Sequence, residues 1–216
     1  MKISILCSDS NHPIFRYLRS WQRKQAGAHE VDLVGSPELL IGGDLLFLIS
    51  CSEIIRQEIR SRYKASLVIH ASDLPKGRGW SPHVWQIIQG NDQVAVTLLE
   101  AADRADTGAI WAVRAIELEG HELADEINEK LFSAELALMD FAVQSLGSIS
   151  PRGQDDSQAT YYRRRNPEDS RIDPAKTIGE QFDLLRVADP RRYPAFFDYR
   201  GYRYIIRLEK TGKASS

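Results

Sequence analysis

His70 follows the apolar run Leu67-Val68-Ile69 and precedes Lys76-Gly77-Arg78-Gly79. The run reads as a strand with His70 at its carboxyl end, and the two glycines and two cations beyond it suit an anionic group. A carboxylate candidate stands in Asp106-Thr107-Gly108, where Gly108 permits a tight turn. An imidazole and a carboxylate from different strand ends are the minimum equipment for general acid–base work on an amine. As bare residues they also fit a structural histidine and an ordinary turn.

The elements that must position these residues alternate along the chain. Ile3 to Leu6 reads as a buried strand leading into Ser8-Asp9-Ser10-Asn11 and Pro13, then a helix in which Ile14, Leu18 and Trp21 share a face. Val31 to Val34 and Leu45 to Ile49 are the next strands, the second apolar throughout as expected of a parallel strand covered on both faces. The pattern predicts a helix from Ser52-Glu53 through Ile54, Ile55 and Ile59. A second is expected after Ser81-Pro82, opened by a capping serine and ended at Gly90. Strands at Val94 to Leu99 and Ala109 to Leu118 flank a polar loop, Glu100 to Gly108, and a long amphipathic helix spans roughly Glu122 to Leu146.

This order predicts an α/β fold: an open, doubly wound, Rossmann-like and mostly parallel sheet with a small C-terminal α+β arm. The expected organisation is a core over residues 1–147, a polar linker over 148–160, an arm over 161–210 and a disordered tail over 211–216. The arm is expected to hold a helix over Thr177 to Val187 and a hairpin, Phe196 to Arg200 and Tyr202 to Leu208, turning at Gly201.

Composition narrows the classes. A net charge of −2 gives no global field for nucleic acid or an anionic membrane. No apolar run reaches bilayer length, and the N-terminus lacks a signal-peptide layout, so a soluble cytoplasmic protein is expected. Cys7 and Cys51, in apolar strand-like segments, read as reduced core residues; neither spacing suggests a metal site.

In combination, Val68-Ile69-His70, Ser72-Asp73-Leu74-Pro75-Lys76-Gly77-Arg78-Gly79 and Asp106-Thr107-Gly108 resemble the signature of the folate-dependent formyltransferases. There a strand ends in Asn-x-His, a Ser-Leu-Leu-Pro-x-x-Arg-Gly-like stretch follows, and an Asp-x-Gly loop comes later. The resemblance covers roughly Leu45 to Leu146. It implies that N10-formyltetrahydrofolate is the formyl donor, with no metal, and that a primary amine is the acceptor. His70 is then placed to accept the amine proton or stabilise the oxyanion, while Asp106 orients His70 and helps pass a proton to the departing folate nitrogen. The folate ring is expected against Ala101, Ala102 and Asp103 and the Leu74-Pro75 turn. Ser72, Lys76, Gly77, Arg78, Gly79 and Trp80 are the expected substrate contacts, and His83 a weaker catalytic candidate.

The sequence departs from the family at one position: Val68 stands where the family has the Asn that donates to the developing oxyanion. Three explanations stay open: backbone N–H groups or protonated His70 serve instead, Ser72 has taken over, or the chain is an inactive folate- or nucleotide-binding module. Losing one such donor costs roughly 10²–10³ in rate.

A second resemblance concerns the acceptor. Arg163-Arg164-Arg165-Asn166-Pro167-Glu168-Asp169-Ser170, Phe182 to Val187 and Tyr193-Pro194-Ala195-Phe196-Phe197 look like the arm of the sugar-nucleotide formyltransferases. The implied substrate is a nucleotide-linked amino sugar used in polysaccharide biosynthesis, with homodimerisation through the arm as a further expectation. A glycinamide ribonucleotide enzyme is disfavoured because Ser8 to Pro13 lacks the glycines of its phosphate loop. Methionyl-tRNA formyltransferases share part of the pattern but continue into a larger basic domain, whereas this sequence stops and is not basic.

Overall fold

The structure, a computed structural model, describes residues 1–214; the last two positions of the expected tail, Ser215 and Ser216, lie outside the described residues. A six-stranded sheet forms the centre. Its strands are β1 (Lys2–Leu6), β2 (Glu30–Val34), β3 (Gly43–Leu48), β4 (Tyr63–His70), β6 (Gln93–Glu100) and β7 (Ile110–Glu117), in the spatial order β2-β1-β3-β4-β6-β7. The first four run parallel, β6 is antiparallel to β4, and β7 is antiparallel to β6. The doubly wound reading holds, with one reversed strand. Because β2 lies to one side of β1 and β3 to the other, the topological switch point falls between the carboxyl ends of β1 and β3, where sheets of this kind bind ligands.

Burial explains the strands. In β1 Ile3, Ile5 and Leu6 are fully buried, and in β3 so are Leu45, Leu46 and Phe47, because helices cover one face while Leu40, Ile55 and Ile59 cover the other. Helix α1 (Phe15–Gln25) buries Leu18 and Trp21. Helix α4 (Ala124–Ser145) turns Ile127, Leu131, Leu138, Met139 and Ala142 to the same core. The Trp21 indole donates to Asp140 at 2.8 Å, tying α1 to α4. No helix among the described residues is long and apolar enough to cross a membrane.

Several expectations are corrected. The helix over Ser52 to Ile59 shrinks to α2 (Gln57–Arg60). Ile55 is drawn into a cluster with Leu46, Leu48 and Tyr63 while Ile54 points to solvent, so the isoleucines share no helical face. Helix α3 (Pro82–Ile88) begins as expected, but Ser81 adopts a left-handed backbone, φ 48°, and makes no side-chain cap bond among the described residues. The arm helix is a 3₁₀ turn, Gly179–Gln181, followed by the short α5 (Phe182–Arg186). Cys7 is in the core, but Cys51 lies past the end of β3 on a cavity wall rather than in a strand.

The stretch read as a linker is docked. Arg152 exchanges backbone hydrogen bonds with Ile110 at 2.7 and 2.8 Å, and the Thr160 carbonyl accepts from Arg78 at 2.9 Å. The short strands β5 (Arg78–Gly79) and β8 (Tyr161–Tyr162) then pair in parallel, joining the arm to the loop after His70. Beyond them, β9 (Ala195–Tyr199) and β10 (Tyr202–Ile206) form the expected hairpin. Arg200 and Gly201 at its turn both have positive φ, as a tight two-residue connection requires.

Candidate active site

Strand β4 sets His70 opposite Thr97 of β6, at the end of the ladder. The chain must then reverse, and side chains hold the reversal: the buried Thr97 Oγ1 donates to the Ser72 carbonyl at 2.6 Å, and the half-buried Gln86 Nε2 to the Ala71 carbonyl at 3.0 Å. His70 is 8% exposed. Its Nε2 contacts the Gly77 carbonyl at 2.9 Å and its Nδ1 faces Asp106 Oδ1 at 3.4 Å. Both ring nitrogens therefore meet acceptors, which a doubly protonated ring satisfies fully and a neutral ring only in part. The Nδ1 contact is the longer and looser of the two.

Asp106 is over-determined. Its backbone is left-handed, φ 60°, an uncommon state for a residue other than glycine and one that neighbours must hold in place. The Gly79 N–H donates to Asp106 Oδ2 at 2.9 Å, and Gln154 Nε2 donates to the carbonyls of Asp106 and Gly108 at 3.0 and 2.8 Å. Gly108 is required: a Cβ there would lie 1.9 Å from the Glu100 carbonyl oxygen. Gly79 has φ 101°, and a Cβ on it would come within 2.3 Å of the Tyr162 carbonyl oxygen.

A cavity of about 820 Å³ opens over this pair and reaches the switch point. Val68, two residues before His70 on the same face of β4, lines it together with Leu48 and the irregular Ser52–Ile55 segment. Ala101, Ala102 and Ala105 complete that side. Arg60 of α2 braces this loop by donating to the Ala101 carbonyl and pairing with the Asp103 carboxylate.

The opposite side mixes core and arm. His12, His83 and Glu135 come from the core, and Arg164, Arg165 and Arg192 from the arm. Burial, then Arg192, hold His12 down to a pKa of about 4, while Asp9 and Asp189 act in the other direction. Burial first, then the charges of His70, His12 and Arg165, hold His83 down to about 4. Burial pushes Glu135 up to about 8. Burial also raises Cys51, which disfavours a thiolate at this wall.

Of the expected site residues, His70, Asp106, Gly79, Trp80, Ala101 and Ala102 line the cavity. Others are corrected. Arg78, expected to meet substrate, is 1% exposed, and its guanidinium is held by Gln154 at 2.7 Å, Asp156 at 2.6 Å and Tyr161 at 3.2 Å. It clamps the docked linker. Leu74 is buried against Leu99, Ile110 and Val68 beneath the cavity floor, and Pro75 and Gly77 also lie outside its wall. Ser72 is 1% exposed and outside the cavity wall, with its hydroxyl unpartnered among the described residues, so it does not reach the place of the missing oxyanion donor. Lys76 and Asp103 are solvent-facing and stand away from the wall.

Sequence reading missed Gln154, Glu135, His12 and Arg192. Gln154 sat inside an apparent linker. The other three are single polar residues whose only signal was a polar side chain near an apolar helical face or strand end.

A family model described as formyl transferase matches residues 2–143. Among solved structures, a methionyl-tRNA formyltransferase from Clostridium thermocellum superposes with a TM-score of 0.81 at 25% identity, over 99% of this chain and 95% of that one. A 4-N formyltransferase from Francisella tularensis gives 0.77 at 19% identity, over 98% of both chains. HypX from Aquifex aeolicus in complex with tetrahydrofolic acid gives 0.78 at 22% identity, over 100% of this chain and 39% of that one. The methionyl-tRNA structure is matched over nearly its whole length, so length does not separate the acceptor classes. With the family model spanning more than half of the sequence over a paired His70 and Asp106, the chain belongs to the formyl transferase family, whose formyl donor is formyl-tetrahydrofolate.

Proposed function

We propose that this chain transfers the formyl group of N10-formyltetrahydrofolate to a primary amine on a nucleotide-linked sugar. The observation that carries the reading is the His70–Asp106 contact of 3.4 Å, placed on one cavity between an apolar, backbone-lined side and a side rich in cationic and titratable groups. Bound folate supplies an electrophilic formyl carbon. Ala101, Ala102 and Val68 give a flat, largely apolar wall for its ring, and the amine arrives from the side of His12 and His83.

His70 does the proton work. Gly77 anchors Nε2, leaving Nδ1 and Asp106 to take the amine proton and return it to the leaving nitrogen. Asp106 stabilises the charged ring as it forms. Val68 offers no donor to the formyl oxygen, the Ser72 hydroxyl is buried below the floor, and the Gly79 N–H is already committed to Asp106. Both nitrogens of His70 also meet acceptors, Gly77 and Asp106, so a ring proton serves the developing negative charge only by leaving one of them; the 3.4 Å Nδ1 contact is the looser and is the one assigned to that role.

The arm supports a small-molecule acceptor, because it closes the amine side with Arg165, Asp189, Arg192 and Tyr193. Its hairpin leaves Tyr202 71% and Ile205 57% exposed, which supports pairing of two copies through the arm. A cytoplasmic role in polysaccharide biosynthesis fits such a substrate. The test is a panel of amines incubated with formyl-folate and scored for the mass of one added formyl group, comprising amino-sugar nucleotides, glycinamide ribonucleotide and methionyl-tRNA. Formylation of amino-sugar nucleotides is expected. Exclusive modification of either of the others would replace the acceptor assignment.

A further inference from the structure

Arg165 is a half-buried guanidinium on the cavity wall that forms no ion pair among the described residues. Its Nη2 donates to the Asp169 carbonyl and the Ser170 hydroxyl, both at 3.2 Å and both neutral acceptors. Its Nε is buried and has no partner among the described residues. The nearest candidate, the Asp169 carboxylate, is already gripped by both terminal nitrogens of Arg163. Burial accordingly lowers the Arg165 pKa. Its neighbour Arg164 lies 4.8 Å over the Trp80 ring and forms no ion pair among the described residues, although other arginines of the arm do. Arg164, Arg165 and Trp80 all line the cavity.

A partly desolvated charge without a counter-ion is unfavourable and persists where something else supplies the opposite charge. The other cation on this side is neutralised, since Arg192 pairs with Asp9 at 2.8 Å. Resting on the formyl-transfer reading of this cavity, we propose that Arg165, with Arg164 and the face of Trp80, forms the subsite for a phosphate ester carried by the amine substrate. Guanidinium forks match phosphate oxygens in bidentate fashion, and the exposed indole gives a flat neighbour for a ring attached to that phosphate. The subsite stands on the arm side, within electrostatic reach of His83 and Tyr193, whereas Ala101 packs with Leu46, Leu48 and Val68 in a separate cluster. That position favours a phosphate on the amine over the glutamate carboxylates of folate as the anion.

The test uses the full chain and two probes in separate calorimetric titrations, inorganic pyrophosphate and 5-formyltetrahydrofolate. Wild type is expected to bind pyrophosphate. Arg165→Gln should weaken that binding by about tenfold or more, Arg165→Lys should restore part of it, and folate affinity should stay unchanged in both. Circular dichroism melts of the two variants check that the arm remains folded. Equal pyrophosphate affinity in wild type and Arg165→Gln, or no binding by wild type, would overturn the proposal. So would a loss confined to the folate probe, which would assign the site to the folate tail. A chain that binds pyrophosphate in this Arg165-dependent way yet formylates no amine keeps the anion subsite and defeats the transfer reading alone.

Discussion

The two sides of the cavity are built on opposite principles. Around His70 and Asp106 nearly every polar group is satisfied by the protein itself: the imidazole by Gly77 and Asp106, the carboxylate by Gly79, and the surrounding carbonyls by Gln154. On the arm side, burial holds the pKa of His12 and His83 down and that of Glu135 up, and the Arg165 Nε has no partner among the described residues. A satisfied network fixes geometry and suits groups that must stay aimed while bonds change. An unsatisfied one is costly until a ligand completes it, which suits the part that recognises substrate.

That contrast predicts the largest losses on the satisfied side. Asp106→Asn keeps the size of the side chain but removes the charge facing Nδ1, and turnover should fall by about 10³–10⁴. A loss below tenfold in purified protein would take Asp106 out of the proton path. Gln154→Ala comes next. It touches no reacting atom, yet it strands the Asp106 and Gly108 carbonyls, at about 1–3 kcal/mol of stability. Turnover should drop with KM little changed, and an unchanged urea midpoint would show that the docked linker does not hold the loop.

Val68→Asn tests the same network from inside. An amide placed among Leu74, Leu99 and Ile110 must find its own hydrogen bonds, so turnover is expected to stay level or fall. A gain of about tenfold or more would mean that the wild-type site is simply short of a donor and that His70 has not absorbed the role.

The smallest effect is on stability against pH. Glu135 has its folded pKa raised from 4.5 to about 8, so the folded chain holds a proton that the unfolded chain has released, and its contribution declines as pH rises across that window. His12 and His83 are lowered from 6.5 to about 4 and act oppositely, losing stability as pH falls through that range. Above pH 6.5 only the Glu135 effect remains of the three. The melting temperature of wild type should therefore fall between pH 6.5 and 8 more than that of Glu135→Gln; parallel curves would place Glu135 in water.

The same contrast governs what the sequence made legible. His70, Asp106 and the glycines between them lie in short blocks whose order and residue types carry the family resemblance, and the alternating apolar runs predict five of the six sheet strands almost to the residue. The sixth, β4, starts four residues earlier than its apolar run because Tyr63 and Ala65 pair with Gly43 and Leu45. Glu135 and His12 come from segments with no motif and line one cavity only once α4 packs against the sheet. Arg78 was misread for a related reason: a cation beside two glycines looks ready for a ligand until Gln154 and Asp156 arrive from the supposed linker.

The central claim is that His70, with Asp106, moves a formyl group from folate to an amine. It is tested most directly by following labelled formyl-tetrahydrofolate in a single turnover with an accepted amine, in wild type and in His70→Ala. Label should pass to the amine with matching release of tetrahydrofolate in wild type. In His70→Ala the transfer should be lost, while the melting temperature and folate affinity are retained. Transfer at a comparable rate in His70→Ala, or folate breakdown in wild type without label on the amine, would contradict it.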